Sequence, residues 1–215
     1  MSKFVIPRLS HNFQQRYFVA DSETEGLSLH LHRPWEIAYS IHQGNKVLAA
    51  KSLYPFYPDL KVGKRAAEIT GFSMERYRDL ATPKEDVWEE ISSFLYHPDY
   101  LVVGHNFIGF DIFLIRRLAI DCGDWRGWKG YIEKVLDTLC LSRMHHNGTR
   151  PDMENFLGSQ MQEIGRPARG SKKSNLSAMC KEFQIEVDPN KTHRGEYDCQ
   201  LTNSVLNKLI YALDI

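Results

Sequence analysis

The chain lacks the features that mark several common classes of protein. Its 215 residues include only four cysteines, which are Cys122, Cys140, Cys180 and Cys199. None of them forms a C-x-x-C pair, so neither a zinc ribbon nor a small disulfide scaffold is indicated, and reduced thiols are expected. No run approaches the ~20 apolar residues of a membrane helix, and the polar N-terminal segment lacks the apolar stretch of a signal peptide. We therefore predict a cytoplasmic protein without membrane contact.

An excess of charge of either sign is also absent. Lys and Arg total 27, and Asp and Glu total 27, so the net charge is 0. Any attraction to nucleic acid must then come from a local basic surface. Hydrophobic residues at 42 % and aromatic residues at 12 % are typical of a globular protein and exclude collagen-like, coiled-coil and wholly disordered chains. At this length we expect one domain over residues 1–215.

The pattern of apolar and polar residues predicts strands followed by alternating helices and strands. Strands are predicted over 16–23, 35–42, 46–53, 101–103 and 131–136, and the Gln-Gly-Asn sequence between the second and third predicts an antiparallel hairpin. Helices are predicted over 63–69, 84–96, 110–120, 138–144, 175–183 and 195–212. The segment 147–174 is rich in Gly, Ser, Pro and basic residues and predicts a long mobile loop.

Four acids fall where the periodicity calls for apolar side chains. Asp21 and Glu23 share one face of the first strand, because strand side chains alternate. Asp111 lies on the apolar stripe of its helix, and Asp198 begins an inward face of the last helix. Two carboxylates 4 Å apart repel by roughly 4 kcal/mol at an effective dielectric near 20, so a cation is expected among them. Carboxylate ligands indicate Mg²⁺ or Mn²⁺, and a pair of such ions suits phosphodiester hydrolysis.

Each acid taken alone has an ordinary structural interpretation. A single Asp near a strand end or a helix start is more often a cap or a partner for a nearby amide than a metal ligand. The four together favour a site, although periodicity does not show that they converge in space.

Three segments carry a family resemblance. They are Asp21-Ser-Glu23-Thr24-Glu25-Gly26, then Gly104-His105-Asn106 followed by Phe110-Asp111, and finally His193-Arg-Gly-Glu-Tyr-Asp198. In this order, and over nearly the whole chain, they resemble the signatures of the DnaQ-like, or DEDD, 3′→5′ exonucleases. The histidine five residues before the last Asp resembles the His subtype, DEDDh. The resemblance implies an α/β, RNase H-like fold with a mixed central sheet and helices on both faces.

The resemblance also implies catalytic roles. Asp21, Glu23 and Asp198 resemble ligands of one metal ion, Asp21 also bridges to a second ion, and Asp111 acts through water. His193 resembles the general base, since an imidazole with a pKa near 6.5 can accept a proton from metal-bound water near neutral pH.

The predicted substrate-binding residues flank these acids, and they are Thr24, Leu27, His105, Asn106 and Phe110. For Thr24 and Leu27 the alternative is ordinary turn formation and core packing. His105 and Asn106 are also expected to order the loop before Asp111 by hydrogen bonds. Asp137 is expected to cap the helix that follows it.

Two residues depart from the family pattern. Glu25 stands where a hydroxyl residue is frequent, and we expect it to add negative charge beside the strand end. Gly195 stands where alanine is frequent, and we expect it to loosen the loop that carries His193.

The predicted activity is release of 5′-mononucleotides from the 3′ ends of single-stranded DNA, with two Mg²⁺ or Mn²⁺ ions and a histidine base. One alternative is an exoribonuclease or oligoribonuclease, because no residue is recognisable as a reader of the 2′-OH. Another is a non-catalytic nucleic-acid-binding module on the same fold, which would need neither the four acids nor the histidine. A polymerase or another replication or repair protein is the predicted protein partner.

Overall fold

The computed structural model describes residues 4–170, 172–191 and 194–215. In these ranges five strands form one sheet of order β3-β2-β1-β4-β5. They are β1 (Arg16–Thr24), β2 (Pro34–Gln43), β3 (Lys46–Leu53), β4 (Tyr100–Gly104) and β5 (Val135–Asp137). Strand β2 pairs antiparallel with both β1 and β3, whereas β4 pairs parallel with both β1 and β5. The predicted mixed sheet and its hairpin are confirmed.

Eight α-helices lie in the described ranges. They are α1 (Lys64–Thr70), α2 (Met74–Leu80), α3 (Lys84–Leu95), α4 (Asp111–Asp121), α5 (Thr138–Asn147), α6 (Phe156–Ile164), α7 (Leu176–Glu182) and α8 (Gly195–Leu213). Within the described ranges, no helix combines the length and the apolar character needed to cross a membrane.

The sheet separates two apolar cores. Along β1, Phe18 and Ala20 belong to the core that contains α3 and α4, whereas Tyr17 and Val19 belong to the core that contains α5 and α8. This division follows from the two-residue period of a strand. Helices therefore cover both faces of the sheet, as predicted. The same alternation sends Asp21 and Glu23 to the α8 side of the sheet.

The segment 147–174 differs from the predicted loop. It contains a 3-10 turn at Met153–Asn155 and the helix α6. The buried positions of α6 include Phe156, Gln160 and Glu163, so two of its core side chains are polar. Gln160 bonds to main-chain atoms, since it donates to the Val135 carbonyl at 2.8 Å and accepts from the Asp137 N–H at 2.6 Å. The loop prediction follows the composition of the whole segment, in which the nine residues of α6 are a minority.

Two shorter differences concern elements next to the sheet. The periodicity does not predict the helix α2, because its seven residues bury only Tyr77. The predicted strand over 131–136 is a strand only from Val135, since Ile132–Lys134 form a 3-10 turn. The pairing with β4 covers only the three residues Val135–Asp137.

Candidate active site

The C-terminal end of β1 carries the first two acids. Asp21 is paired with Ala38 of β2, and Glu23 is paired with Glu36. The register shifts directly after Glu23, which is the mark of a bulge. The strand therefore ends in two carboxylates on the α8 side, at a point where the chain turns away from the sheet.

The first turn of α8 brings Asp198 towards these acids. Gly195 permits the approach, because a Cβ at this position would overlap the Ala38 side chain and lie 3.5 Å from Glu36 Oε1. Beside Asp198, the buried Cys199 thiol lies 3.6 Å from the Ala38 carbonyl oxygen. The missing side chain of Gly195 thus allows close packing of α8 on β2, whereas the loop residue His193, which Gly195 is expected to loosen, lies outside the described residues.

We expect Gly195→Ala to destabilise the fold by about 1–3 kcal/mol, the usual cost of overpacking, and to reduce any activity that needs Asp198. Urea unfolding measures the first effect. Gly165→Ala is a matched control, because residue 165 is in the right-handed helical region and a Cβ there would have no described atom within 4 Å. Equal stability of the two variants would show that α8 does not need the close approach.

The third acid starts α4. Asp111 is buried, and its carboxylate accepts a hydrogen bond from the Ser22 hydroxyl. Ser22 lies between Asp21 and Glu23 but faces the α4 side, so Asp111 meets β1 from the opposite face. Ser22 is absent from the predicted site. Its signal in the sequence is a polar residue that follows Phe18 and Ala20 on an otherwise apolar face.

The acids are close enough to alter one another's protonation. Burial, followed by the charges of Asp198 and Glu36, raises the pKa of Asp21 to about 7. Burial, followed by the charges of Asp21, Glu36 and Asp198, raises the pKa of Glu23 to about 8. Burial and Asp21 hold the pKa of Asp111 well above its usual range. All four predicted acids therefore meet at one edge of the sheet. His193 lies outside the described residues.

Glu36 is a fifth acid, which the sequence motifs do not include. Its carboxylate accepts a 3.4 Å hydrogen bond from the Tyr54 hydroxyl, and its pKa is raised mainly by burial. It is the one acid in β2, where it lies on the same face as Ala38 and Ser40. An acid in a strand that is otherwise nearly all buried is the signal that could have revealed it.

A cleft of about 390 Å³ adjoins the acidic cluster at Glu36 and Gly195. Its volume is within the usual range of small-molecule sites, about 300–1,000 Å³. Its walls include aromatic and cationic side chains, namely Trp35, Tyr54, Phe72, Arg76, Lys191 and Arg194. Trp35 and Tyr54 are buried in the apolar core, so the part of the cleft that suits a nucleic acid is its cations, which can pair with phosphates.

The donor atoms of the acidic cluster suit hard divalent ions. Carboxylate oxygens are preferred by Mg²⁺ and Mn²⁺. Burial first, and then repulsion between the acids, raises the pKa values of Asp21 and Glu23, and a bound cation would offset both effects. In the part of the chain that the structure describes, no three His, Cys, Asp or Glu side chains are already arranged to hold a metal ion. The acids therefore fit such an ion by chemistry and charge, without a preformed cage.

The predicted substrate-binding residues after β1 have different environments. The Thr24 hydroxyl lies 3.2 Å from the Gly26 carbonyl oxygen and 3.1 Å from the Arg33 carbonyl oxygen, so it takes part in the turn. The Leu27 side chain is 87 % exposed, which excludes the alternative of core packing. It is thus available to a ligand beside the strand end.

Glu25 forms a buried ion pair. Its carboxylate accepts from Arg33 Nη2 at 2.9 Å and from Arg33 Nε at 3.1 Å, and also from the Lys61 main-chain N–H at 3.1 Å. Although burial acts to raise the pKa of Glu25, these hydrogen bonds lower it overall. Glu25 is therefore paired and does not present the free negative charge expected beside the strand end, although Arg33 is shared with Asp59 at 2.8 Å. The pair instead closes the loop that carries Leu27.

The loop before α4 is fixed by Asp137. Its carboxylate accepts from the main-chain N–H groups of Asn106 at 3.0 Å and Ile108 at 2.9 Å, and it caps α5 as predicted. His105 Nδ1 lies 2.9 Å from the Thr138 hydroxyl, and burial lowers the pKa of His105 to about 4. These hydrogen bonds match the predicted ordering of the loop. Half-buried Phe110 is the N-cap of α4.

A mixed sheet with acids from β1, α4 and α8 at one edge is the arrangement expected of the exonuclease family. The chain belongs to that family, because the RNase_T model, described as Exonuclease, matches residues 18–206.

Solved structures of E. coli exonuclease I have the same fold. Its complex with a dT13 oligonucleotide is 18 % identical with a TM-score of 0.68, and the match covers 91 % of this chain and 41 % of that one. The complex with a dA16 oligonucleotide is 17 % identical with a TM-score of 0.69, over 92 % of this chain and 42 % of that one. The predicted RNase H-like fold is confirmed. The chain spans about two fifths of these structures.

A curated relative is the PolC-type DNA polymerase III of Ureaplasma parvum serovar 3. It is 24 % identical over 182 residues, which make up 85 % of this chain and 10 % of the polymerase. The chain thus corresponds to about a tenth of that protein.

Proposed function

We propose that this protein is a metal-dependent exonuclease that removes 5′-mononucleotides from the 3′ ends of single-stranded DNA. The convergence of Asp21, Glu23, Asp111 and Asp198 at one edge of the sheet carries this proposal. Buried carboxylates that repel one another destabilise a fold, so a module that only binds nucleic acid has no use for them. Membership of the exonuclease family and the oligonucleotides named in the exonuclease I complexes support the same function.

Each acid has a defined part in this proposal. Asp21, Glu23 and Asp198 would hold one divalent ion, and Asp21 would share a second. Such ions supply a nucleophilic water and neutralise charge on the phosphate. Asp111, oriented by the Ser22 hydroxyl, positions water at the edge of the cluster. His193, five residues before Asp198, accepts the proton of the attacking water.

In this proposal the 3′ end of the DNA strand is held beside the acids. Exposed Leu27 and half-buried Phe110 offer apolar contacts to the terminal nucleotide, and the Glu25–Arg33 ion pair keeps the Leu27 loop in place. The cleft next to Glu36 offers the Arg76 guanidinium to a phosphate. Such a cation offsets part of the repulsion between an anionic DNA strand and the acidic cluster.

A polymerase or another replication protein is the proposed partner. The likeness to a segment of a PolC-type DNA polymerase III supports it, because the 24 % identity extends over most of this chain.

The function is tested with matched DNA and RNA strands labelled at either end. With Mg²⁺, the 3′ label should appear first in mononucleotides, the 5′-labelled strand should shorten stepwise, and DNA should be degraded faster than RNA. Chelation of divalent ions should stop the reaction. Release of mononucleotides from the 5′ end, or full activity with excess chelator, would overturn the proposal. Faster degradation of RNA than of DNA would support the ribonuclease alternative. Binding without cleavage would support the non-catalytic alternative.

A further inference from the structure

An aromatic and basic surface lies on the outer side of α4 and the segment after it. We call it the α4 surface, and it consists of Phe113, Arg116, Trp125, Trp128 and Lys129. Trp125 is 69 % exposed and Phe113 is 37 % exposed, and the ring of Phe113 meets that of Trp128 edge to face at 5.7 Å. Large aromatic side chains exposed together on one surface are typical of a binding surface.

Arg116 lies within this surface, beside the Trp125 ring. Its guanidinium carbon is 6.0 Å from the centre of that ring, and Nη1 is buried without a hydrogen-bond partner among the described residues. Over residues 4–170, 172–191 and 194–215, no carboxylate forms an ion pair with Arg116 or with exposed Lys129. By contrast, neighbouring Arg117 and Arg126 bond to acids close to them in sequence. Two positive charges are therefore uncompensated within those ranges, in a chain whose net charge is 0.

The α4 surface begins one helical turn from the acidic cluster. Asp111, the first residue of α4, belongs to the cluster, and Phe110 precedes it. Phe113 follows in the same turn, and its main-chain N–H donates to the Phe110 carbonyl at 3.1 Å. Phe113, which contacts the Trp128 ring, is therefore one helical turn from Phe110, the residue next to Asp111.

We propose that the α4 surface binds the single strand on the 5′ side of the nucleotide that is removed. Bases stack on Trp125 and Phe113, and phosphates pair with Arg116 and Lys129. The alternation of aromatic rings with uncompensated cations matches a strand that alternates bases with negative charges. This inference rests on the proposed function for its direction along the strand, while the binding itself does not depend on hydrolysis.

The test compares short and long strands in a background that cannot cleave them. In Asp21→Asn protein, fluorescence anisotropy gives the affinity for a DNA trinucleotide and for a strand of about twelve nucleotides, a length within the range of single-strand binding sites. The ratio of the affinity for the longer strand to the affinity for the trinucleotide is the length gain. It should fall about tenfold in Trp125→Ala, since one stacked base is lost. In Lys129→Ala the slope of log affinity against log salt should fall by about 1. Trp125→Phe, which keeps a ring, should restore most of the gain.

Two exposed residues on another surface provide matched controls. Phe13 is 68 % exposed and Lys208 lies on the outer side of α8, so Phe13→Ala and Lys208→Ala should leave the gain with length unchanged. The proposal is overturned if Trp125→Ala and Lys129→Ala behave like these controls. It is also overturned if Trp125→Ala alters self-association in sedimentation while strand affinity stays the same, because the surface would then bind protein.

The two proposals fail in different ways. If wild-type protein releases no nucleotide from any strand but the length gain persists and depends on Trp125, the proposed function is wrong and the α4 surface is supported. If hydrolysis occurs and the length gain does not depend on Trp125, the proposed function is supported and the α4 surface is wrong.

Discussion

Asp21→Asn is expected to reduce hydrolysis by about a thousandfold or more and to raise the melting temperature of the metal-free protein at pH 8. The loss of activity follows because groups that act as one catalytic unit give losses of this order when one is removed. The gain in stability follows because the substitution removes one of several charges that repel one another at the end of β1. A thermal melt and a nuclease assay on the same preparation measure both effects.

The pH dependence of this gain has a definite sign. An aspartate in an unfolded chain titrates near pH 4, whereas Asp21 in the folded protein has a pKa of about 7. Between these values the folded state binds more protons than the unfolded state, so wild-type stability falls as the pH rises. Asparagine binds no proton in this range. The difference in melting temperature between the variant and the wild type should therefore grow from about pH 4 to about pH 7 and then level off.

Asp79→Asn is the control for this experiment, because Asp79 is an exposed acid of α2 outside the cluster. It should change neither activity nor the pH dependence of stability. If Asp21→Asn lowers the melting temperature at pH 8 as much as at pH 5, the carboxylates at the end of β1 do not repel one another as described.

Arg33→Met is expected to destabilise the protein by about 3–5 kcal/mol, as when one partner of a buried ion pair is removed. The Arg33 and Glu25 side chains are only 16 % and 6 % exposed, so the variant leaves a buried carboxylate without its cation. The guanidinium also covers the Tyr57 ring at 4.5 Å. Urea unfolding measures the loss. Because the pair closes the loop with Leu27, the KM for single strands should also rise.

An exposed pair and a double variant control for this result. The Arg8 and Asp214 side chains are 68 % and 52 % exposed, so Arg8→Met should cost about 0–1 kcal/mol. Glu25→Gln combined with Arg33→Met should recover part of the stability, since no buried charge is then left alone. If Arg33→Met and Arg8→Met cost the same, the Glu25–Arg33 pair does not hold the loop.

The sequence predicts best those elements whose pattern is local. The bounds of β3 coincide with the predicted strand over 46–53, because a strand-like segment there follows a short turn. The segment 147–174 is predicted as a loop because that prediction follows the composition of the whole segment, in which the nine residues of α6 are a minority. The buried Gln160 of α6 bonds to the main chain of Val135 and Asp137, more than twenty residues away, and a local pattern does not contain that information.

The site shows the same limit. The motif acids are visible because charge conflicts with periodicity, and the structure brings them together. Glu36 joins them only through the register between β1 and β2, which depends on pairing across a long connection. Glu25 is neutralised only because Arg33, eight residues later, folds back onto it. Both contacts form only in the folded structure, so the residue types alone do not predict them.

Anomalous diffraction from a crystal of the protein soaked in Mn²⁺ tests the central claim most directly. We predict a manganese peak bound to the carboxylate of Asp21 and shared with Glu23 and Asp198, and its loss in Asp21→Asn. Manganese bound only at other residues, by a protein that still degrades single strands from their 3′ ends, would contradict the assignment of the acidic cluster as the active site.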